Sequence, residues 1–94
     1  MKTKVEAARM LTWKSASEAD AGIRNTESAA HAKRFAADIA MEVSTDAVQI
    51  YGGYGYSEEY PVARLMRGAK VMQIYEGSSQ VQRMIICREI TKDL

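Results

Sequence analysis

The chain has 94 residues, 47% of them hydrophobic and 27% charged, with a net charge of +1 at pH 7. This length suits one domain, and this composition is typical of a folded globular chain rather than a disordered or collagen-like one. No run approaches the roughly 20 apolar residues of a membrane span. One cysteine and one histidine exclude a disulfide framework and a multi-cysteine zinc site, and the balanced charge does not indicate nucleic acid binding. We therefore treat residues 1–94 as one domain with no metal site.

The first helix is predicted from Lys2 to about Ile23, because this segment is rich in Ala, Lys, Glu and Met, which are good helix formers. Its apolar residues fall roughly on one stripe, and Gly22 supplies a stop signal. The periodic pattern begins at once after Met1, with no clear capping residue except Thr3. This start is what we expect of a chain cut from something longer.

The second helix is predicted to begin at Asn25 or Thr26, either of which could cap it, and to run to about Tyr51. Apolar residues recur on its inner face at spacings of three and four. These residues are Ala32, Phe35, Ala36, Ile39, Val43, Ala47 and Ile50.

Glycines end this helix in the stretch 49–57, which also holds three of the five tyrosines. The runs beside Gly52 and Gly53 are too short for strands that bury anything, so a β-hairpin is rejected. A third helix is predicted from Pro61 to about Lys70, since proline favours the first turn of a helix. Its apolar face is expected to comprise Val62, Leu65, Met66 and Ala69.

The last helix is predicted after Gly77, capped by Ser78 or Ser79, with Ser79 and Gln82 fitting a capping box. Its buried face should hold Val81, Met84, Ile85, Cys87 and Ile90, while Arg83, Arg88, Glu89, Lys92 and Asp93 face solvent. Two long and two short helices with no convincing strand predict an all-α fold, a partial four-helix bundle of the up-and-down type.

Few side chains indicate chemistry. His31 lies in mid-helix among alanines and is expected to be a surface or packing residue, and Cys87 is expected to be a buried, inert thiol. Glu76 stands out because it directly precedes a glycine and a helix N-terminus. It is either an exposed turn residue or a general base beside free N–H groups and serine hydroxyls that suit a polar ligand. The glycine and tyrosine stretch is either an ordinary helix end or a place where backbone approaches a ligand closely.

Several segments together resemble the C-terminal helical domain of acyl-CoA dehydrogenases, from about Val5 to Asp93. The matching pieces, in chain order, are Glu-Ala-Ala-Arg-Met-Leu-Thr at 6–12, Ala-Val-Gln-Ile-Tyr-Gly-Gly-Tyr-Gly-Tyr at 47–56, Glu-Tyr-Pro-Val at 59–62, Leu-Met-Arg at 65–67 and Gln-Ile-Tyr-Glu-Gly-Ser-Ser-Gln-Val-Gln-Arg at 73–83. Short-chain, butyryl-type members are the most similar in these pieces. Gly68 departs from the family pattern, which usually has aspartate there.

The resemblance implies that Glu76 is the catalytic base, which removes a proton from the carbon next to the thioester carbonyl of an acyl-CoA. The product would be a trans-2-enoyl-CoA, with FAD as the hydride acceptor. Gly77 would lie against substrate, and Tyr75 would help to wall the flavin site. The implied FAD contacts are Ser78, Ser79 and Gln80 on one side and Gln49, Ile50, Tyr51, Gly52 and Gly53, facing the FAD of a neighbouring subunit, on the other.

The resemblance further implies a homo-oligomer, either a dimer or a tetramer, an electron-transfer flavoprotein as the onward acceptor, and a cytoplasmic location, or the mitochondrial matrix in a eukaryote. The N-terminal helical and middle β domains of such an enzyme have no counterpart here, so we expect the 94 residues alone to be inactive. Two alternatives stay open. The chain could act only as a helical assembly or interaction module, or it could come from an acyl-CoA oxidase, which differs in its electron acceptor.

Overall fold

The computed structural model describes all 94 residues, and its regular structure is entirely helical. The five helices are α1 (Lys2–Asp20), α2 (Thr26–Tyr51), α3 (Gly53–Tyr56), α4 (Pro61–Met72) and α5 (Ser79–Thr91). The all-α prediction is confirmed, and the bounds of the four predicted helices agree with the structure to within one turn. The short α3, inside the glycine and tyrosine stretch, was not predicted. None of the helices combines the length and the hydropathy that a membrane-spanning helix needs.

Helix α2 is the centre of the fold, because it packs against each of the other four helices. Helices α1, α4 and α5 do not pack against one another. The connection between α1 and α2 is short, and Asn25 closes it by donating its side-chain amide to the carbonyl oxygen and hydroxyl of Ser15, at 3.1 Å each. Asn25 occupies the cap position of α2, but its side chain makes no capping bond, nor does that of Thr26. Asn25, one of the two predicted alternatives, is therefore the cap residue, but its side chain bonds to α1 and not to the first turn of α2.

Helices α4 and α5 run in series along α2, both antiparallel to it. The entry to α4 lies at the end of α2, where the rings of Tyr51 and Tyr60 are 6.1 Å apart. The end of α4 lies beside the first half of α2, where Lys33 donates to the Met72 carbonyl oxygen at 2.6 Å. The last turns of α5 reach Arg24, just before α2 begins.

The lengths of the helices determine where the connection between α4 and α5 lies along α2. At 1.5 Å per residue, the 26 residues of α2 span about 39 Å, and the 12 and 13 residues of α4 and α5 span about 18 and 20 Å. The two short helices together therefore match the long one. Their connection, residues 73–78, falls against the middle of α2 and is called the α4–α5 loop below.

The core is thin and made of small residues. No side chain of α1 is buried, and Trp13 is 60% exposed. Leu65, which was expected to face the core from α4, is 57% exposed, while Ala63 is buried instead. The buried apolar residues are Ala30, Ala32, Ala37, Ile39, Val62, Ala63 and Ala69.

The buried face of α5 differs from the prediction. Ser79, Gln82 and Glu89 are buried at helical spacing, whereas Met84 and Ile90 are 70% and 60% exposed. Val81 and Cys87 are exposed as well, and Ile85 is half-buried. The predicted face and the predicted solvent position of Glu89 are therefore wrong. The polar side chains turn inward because each has a partner there: Glu89 binds Arg24, and Ser79 binds Asp38.

Candidate active site in the α4–α5 loop

Glu76 lies in the α4–α5 loop and has an unusual backbone conformation. Its φ is +54°, and it is the only non-glycine residue of the chain with a positive φ. A left-handed conformation costs a residue with a side chain of order 1–3 kcal/mol and persists only where surrounding contacts enforce it. Gly77 follows with φ +86°. The two residues together form the turn that connects α4 to α5, and the Glu76 side chain is left exposed.

Lys33 of α2 binds the α4–α5 loop at both ends of this turn. Its ammonium group donates to the Met72 carbonyl oxygen at 2.6 Å and to the Gly77 carbonyl oxygen at 3.3 Å. The same group lies 5.9 Å from the centre of the Tyr75 ring. Lys33 therefore contacts residues that precede Glu76 in the chain and the residue that follows it.

Gln82 of α5 binds the loop from the other direction. Its side-chain amide donates to the carbonyl oxygens of Glu76 and Gly77, at 3.4 and 3.2 Å. A Cβ atom on Gly77 would lie 2.5 Å from the Gln82 amide nitrogen. Glycine is favoured at this position by its positive φ, and an added Cβ would also displace the Gln82 amide from its hydrogen bonds to the loop.

Asp38, about one and a half turns beyond Lys33 on α2, holds the flanks of the loop. Its carboxylate accepts hydrogen bonds from Gln73 and Ser79, both at 2.8 Å, and from Arg83 at 3.0 Å. Partial burial of the carboxyl group acts to raise its pKa, but these hydrogen bonds and the charges of Arg83 and Arg34 outweigh it. The pKa of Asp38 consequently lies below its ordinary value.

The predicted cap of α5 is partly correct. Ser78 is the cap, and its hydroxyl accepts from the Val81 amide at 3.3 Å. The capping box of Ser79 and Gln82 is wrong, because Ser79 donates to Asp38 and Gln82 donates to the loop carbonyls. Both side chains are used to fix the loop rather than to cap the helix.

An open apolar groove of about 580 Å³ runs along α2 beside the loop. Ala32, Ala36, Ala37 and Ala40 form its floor, and Glu76 is among the residues that line it. The small alanine side chains leave space in the groove, and Glu76 lies beside this apolar surface. This arrangement can present a base to a ligand with an apolar portion.

The second group of predicted FAD contacts, called the second patch below, lies at the C-terminal end of α2. Gln49, Ile50, Tyr51, Gly52 and Gly53 are all exposed. Gly52 has φ +66° and ψ −145°, a conformation that is essentially restricted to glycine, and a Cβ at Gly52 or Gly53 would meet no atom within 4 Å. The backbone is therefore open to close approach from outside, as expected of a ligand-facing turn.

Within one chain, the two groups of predicted FAD contacts, residues 78–80 and residues 49–53, do not lie together. Ser78, Ser79 and Gln80 lie against the middle of α2 near Asp38, and Gln49 is eleven residues further on, or about 17 Å at 1.5 Å per residue. A single small pocket of this chain cannot include both patches. The prediction that they face different cofactor molecules stays a prediction, and this spacing is compatible with it.

The remaining candidates lie away from this loop. His31 faces Glu27 at 3.6 Å, one turn earlier on α2. Cys87 is exposed, so the predicted buried thiol is wrong; the inward face of α5 is taken by its polar residues. Sequence reasoning did not identify Lys33, Asp38 or Gln82 as part of the site. No local pattern distinguishes these residues from ordinary polar positions, because their partners are about 35 to 45 residues away or were assigned to a cap.

Residues 1–91 match the family model described as the acyl-CoA dehydrogenase, C-terminal domain. Among curated proteins, the chain is 60% identical to the short-chain specific acyl-CoA dehydrogenase of Megasphaera elsdenii, over 90% of this chain and 22% of that protein. It is 53% identical to the cyclohexane-1-carbonyl-CoA dehydrogenase of Geobacter metallireducens, over 97% of this chain and 24% of that protein.

The solved structure of butyryl-CoA dehydrogenase from Megasphaera elsdenii superposes on this fold with a TM-score of 0.94. The sequences are 57% identical, and the match covers 96% of this chain and 24% of that one. The present chain thus spans about a quarter of the length of the proteins that it matches.

Proposed function

Because the chain belongs to the acyl-CoA dehydrogenase family through its C-terminal domain, we propose that it supplies the catalytic base and part of the FAD site of such an enzyme. The reaction is the oxidation of a short- or medium-chain acyl-CoA to its trans-2-enoyl-CoA. The observation that carries the proposal is the conformation of Glu76, a strained carboxylate-bearing residue held beside an apolar groove.

The chemical role of Glu76 is proton abstraction. The carbon next to the thioester carbonyl loses a proton to the carboxylate, while the next carbon loses a hydride, so a double bond forms between them. A general base must lie within hydrogen-bonding reach of the proton that it removes, in surroundings that exclude water. Glu76 is exposed in this chain, so the rest of the enzyme has to cover it. The isolated chain is accordingly proposed to be inactive.

FAD, when bound, accepts the hydride; the residues present fit such a group. A polar groove of about 340 Å³ lies at the N-terminus of α5. Its lining includes Lys70, Gln73, Ser79, Gln80 and Arg83, and also Asp38, whose carboxylate accepts hydrogen bonds from Gln73, Ser79 and Arg83. Cationic side chains and the N–H groups of a helix start favour negatively charged ligands such as a diphosphate. The open backbone at Gly52 and Gly53 offers the second contact, to the FAD of another subunit.

The partners follow from the same proposal. An acyl-CoA is the substrate, and an electron-transfer flavoprotein takes the electrons onward. Two named relatives act on a short-chain and on a cyclohexane-carbonyl thioester, so we propose a small acyl group for this chain. Homo-oligomerisation is part of the same proposal, since the resemblance assigns the exposed turn at residues 49–53 to the FAD of a neighbouring subunit. A cytoplasmic location is part of the proposal, since the relatives are bacterial.

The test uses a full-length chimera in which this chain replaces the matching segment of the Megasphaera elsdenii short-chain enzyme. We expect the chimera to bind FAD and to oxidise butyryl-CoA. Substitution Glu76→Gln should lower kcat roughly 10²- to 10⁴-fold, the usual contribution of a general base. Flavin absorbance and a dye-coupled assay measure the two properties separately.

The matched control is Glu58→Gln, at an exposed glutamate before α4 that makes no ion pair. This variant should retain the kcat of the parent chimera. The proposal is overturned if the chimera binds flavin but does not oxidise butyryl-CoA, or if Glu76→Gln is as active as Glu58→Gln.

A further inference from the structure

We propose that Lys33 is a positioning residue for the base, acting through the backbone of the α4–α5 loop rather than by touching substrate. The inference rests on the proposed function of Glu76 and deepens it. It assigns a role in the reaction to a lysine on a different helix, 43 residues earlier in the chain.

The first argument is the pattern of contacts. Lys33 bonds to the carbonyl oxygen of Met72, where α4 ends, and to that of Gly77, directly after Glu76. A single ammonium group therefore fixes the separation between the two ends of the six-residue segment 72–77. Hydrogen bonds from a charged donor are roughly twice as strong as neutral ones, so the link is a firm one.

The second argument is the conformation that the contacts maintain. Glu76 has a left-handed backbone although it carries a side chain, and such a conformation reverts when its restraints are removed. Gln82 restrains the segment from α5, but only at the Glu76 and Gly77 carbonyl oxygens. Two residues of α2 hold this segment: Asp38 binds the Gln73 side chain, whereas Lys33 binds the backbone at Met72 and at Gly77, directly after Glu76.

The third argument is that Lys33 and Asp38 bind different residues and line different grooves. Asp38 binds Gln73, Ser79 and Arg83, which line the polar groove proposed for FAD. Lys33 lines the apolar groove together with Glu76, and its hydrogen bonds go to the Met72 and Gly77 carbonyl oxygens rather than to those polar side chains. Loss of Lys33 should consequently affect proton abstraction more than flavin binding.

The experiment compares Lys33→Met and Lys33→Gln with the parent chimera described above. Methionine keeps the length of the side chain without a donor, and glutamine keeps a donor on a shorter side chain. A displacement of about 1 Å at a catalytic group can cost about 10²-fold, so we expect kcat to fall roughly 10- to 100-fold. Flavin content and KM for butyryl-CoA should change little.

The decisive readout is the kinetic isotope effect with butyryl-CoA deuterated next to the thioester carbonyl. A misplaced base makes proton removal more rate-limiting, so the isotope effect on kcat should rise in both variants. Lys33→Arg, which keeps the charge and several donors, should recover most of kcat. Lys14→Met makes the same chemical change on the exposed side of α1 and should match the parent.

Failure of this inference is distinguishable from failure of the proposed function. An inactive parent chimera, or a Glu76→Gln variant with unimpaired activity, would overturn the proposed function itself. With an active parent, Lys33 has no positioning role if the variants that retain flavin keep kcat within about threefold and show the parent's isotope effect. If neither Lys33→Met nor Lys33→Gln retains flavin, the residue is structural and the inference is likewise wrong.

Discussion

At the scale of single residues, the glycines of this chain serve different purposes, and the structure separates them. Gly77 is needed for its positive φ and for the approach of Gln82. Gly55 is buried in α3, and a Cβ there would lie 2.6 Å from both the Tyr51 Cβ atom and the Val48 carbonyl oxygen. Gly68, in contrast, lies inside α4 with nothing within 4 Å of an added Cβ. Of these three positions, only Gly77 and Gly55 demand glycine.

Substitution Gly68→Ala should therefore stabilise the chain. Glycine inside a helix costs roughly 0.5–1 kcal/mol relative to alanine, and there is space for the methyl group. We expect the free energy of unfolding to rise by about that amount, measured by urea denaturation and circular dichroism.

The matched variant Gly55→Ala should do the reverse, since forcing a methyl group into a packed site costs about 1–3 kcal/mol. Equal effects of the two alanines would contradict this account of the packing.

At the scale of elements, α5 shows where sequence patterns suffice and where they fail. The glycine, the serines and the helix formers predicted its existence and its start correctly. The face it buries was mispredicted, because apolar periodicity assumes that hydrophobic residues turn inward. Here Glu89 turns inward, with its side chain 3% exposed, since Arg24 and Lys92 neutralise it. Arg24 is 65 residues away in sequence, so no local pattern predicts that pairing.

The loop illustrates the same limit. The motif around Glu76 was recognisable because its residues are consecutive in sequence. The residues that hold it, Lys33 and Asp38, were identified only as polar positions beside the apolar stripe of α2. Their role depends on α4 and α5 running in series along α2, and that topology follows from tertiary packing rather than from periodicity.

The ion pair of α5 makes the stability of the chain depend on pH. Hydrogen bonds from Arg24 and Lys92 to Glu89 lower its pKa from 4.5 to about 2. A carboxyl group with a depressed pKa in the folded state stabilises the fold above its unfolded pKa, and this stabilisation is lost as pH falls from about 4.5 to about 2. We expect Glu89→Gln to lower the unfolding midpoint clearly at pH 7 and much less at pH 2.5.

Thermal unfolding of both proteins by circular dichroism at the two pH values provides the measurement. Asp93→Asn, at an exposed carboxylate one helical turn further on, is the control and should show no comparable pH-dependent difference. A Glu89→Gln defect of the same size at both pH values would show that the pairing with Arg24 does not depend on the charge of Glu89.

At the scale of the whole molecule, the chain is an elongated bundle, 50 × 23 × 19 Å, with an unusually exposed set of large apolar side chains. Ile50 is 73% exposed, Met84 70%, Trp13 60% and Met10 55%. Monomeric proteins rarely leave large contiguous apolar patches uncovered, and such surfaces mark contacts with other chains. The small core and the open outer faces of α1 and α5 together indicate that the folded chain requires neighbours.

We therefore expect the isolated 94-residue chain to self-associate. Its sedimentation coefficient should increase with concentration above the value for a 10.5 kDa monomer. Trp13 is the only tryptophan and lies one turn from Met10 on α1, so burial of this face should shift its fluorescence emission to shorter wavelength over the same concentration range.

Met10→Lys should weaken both responses, because a charge placed on the contact face must lose water on association. Leu94→Lys, at a C-terminal residue that is 99% exposed, should leave them unchanged. A chain that sediments as a monomer throughout, with constant Trp13 emission, would show that these apolar faces remain in contact with water and do not drive association.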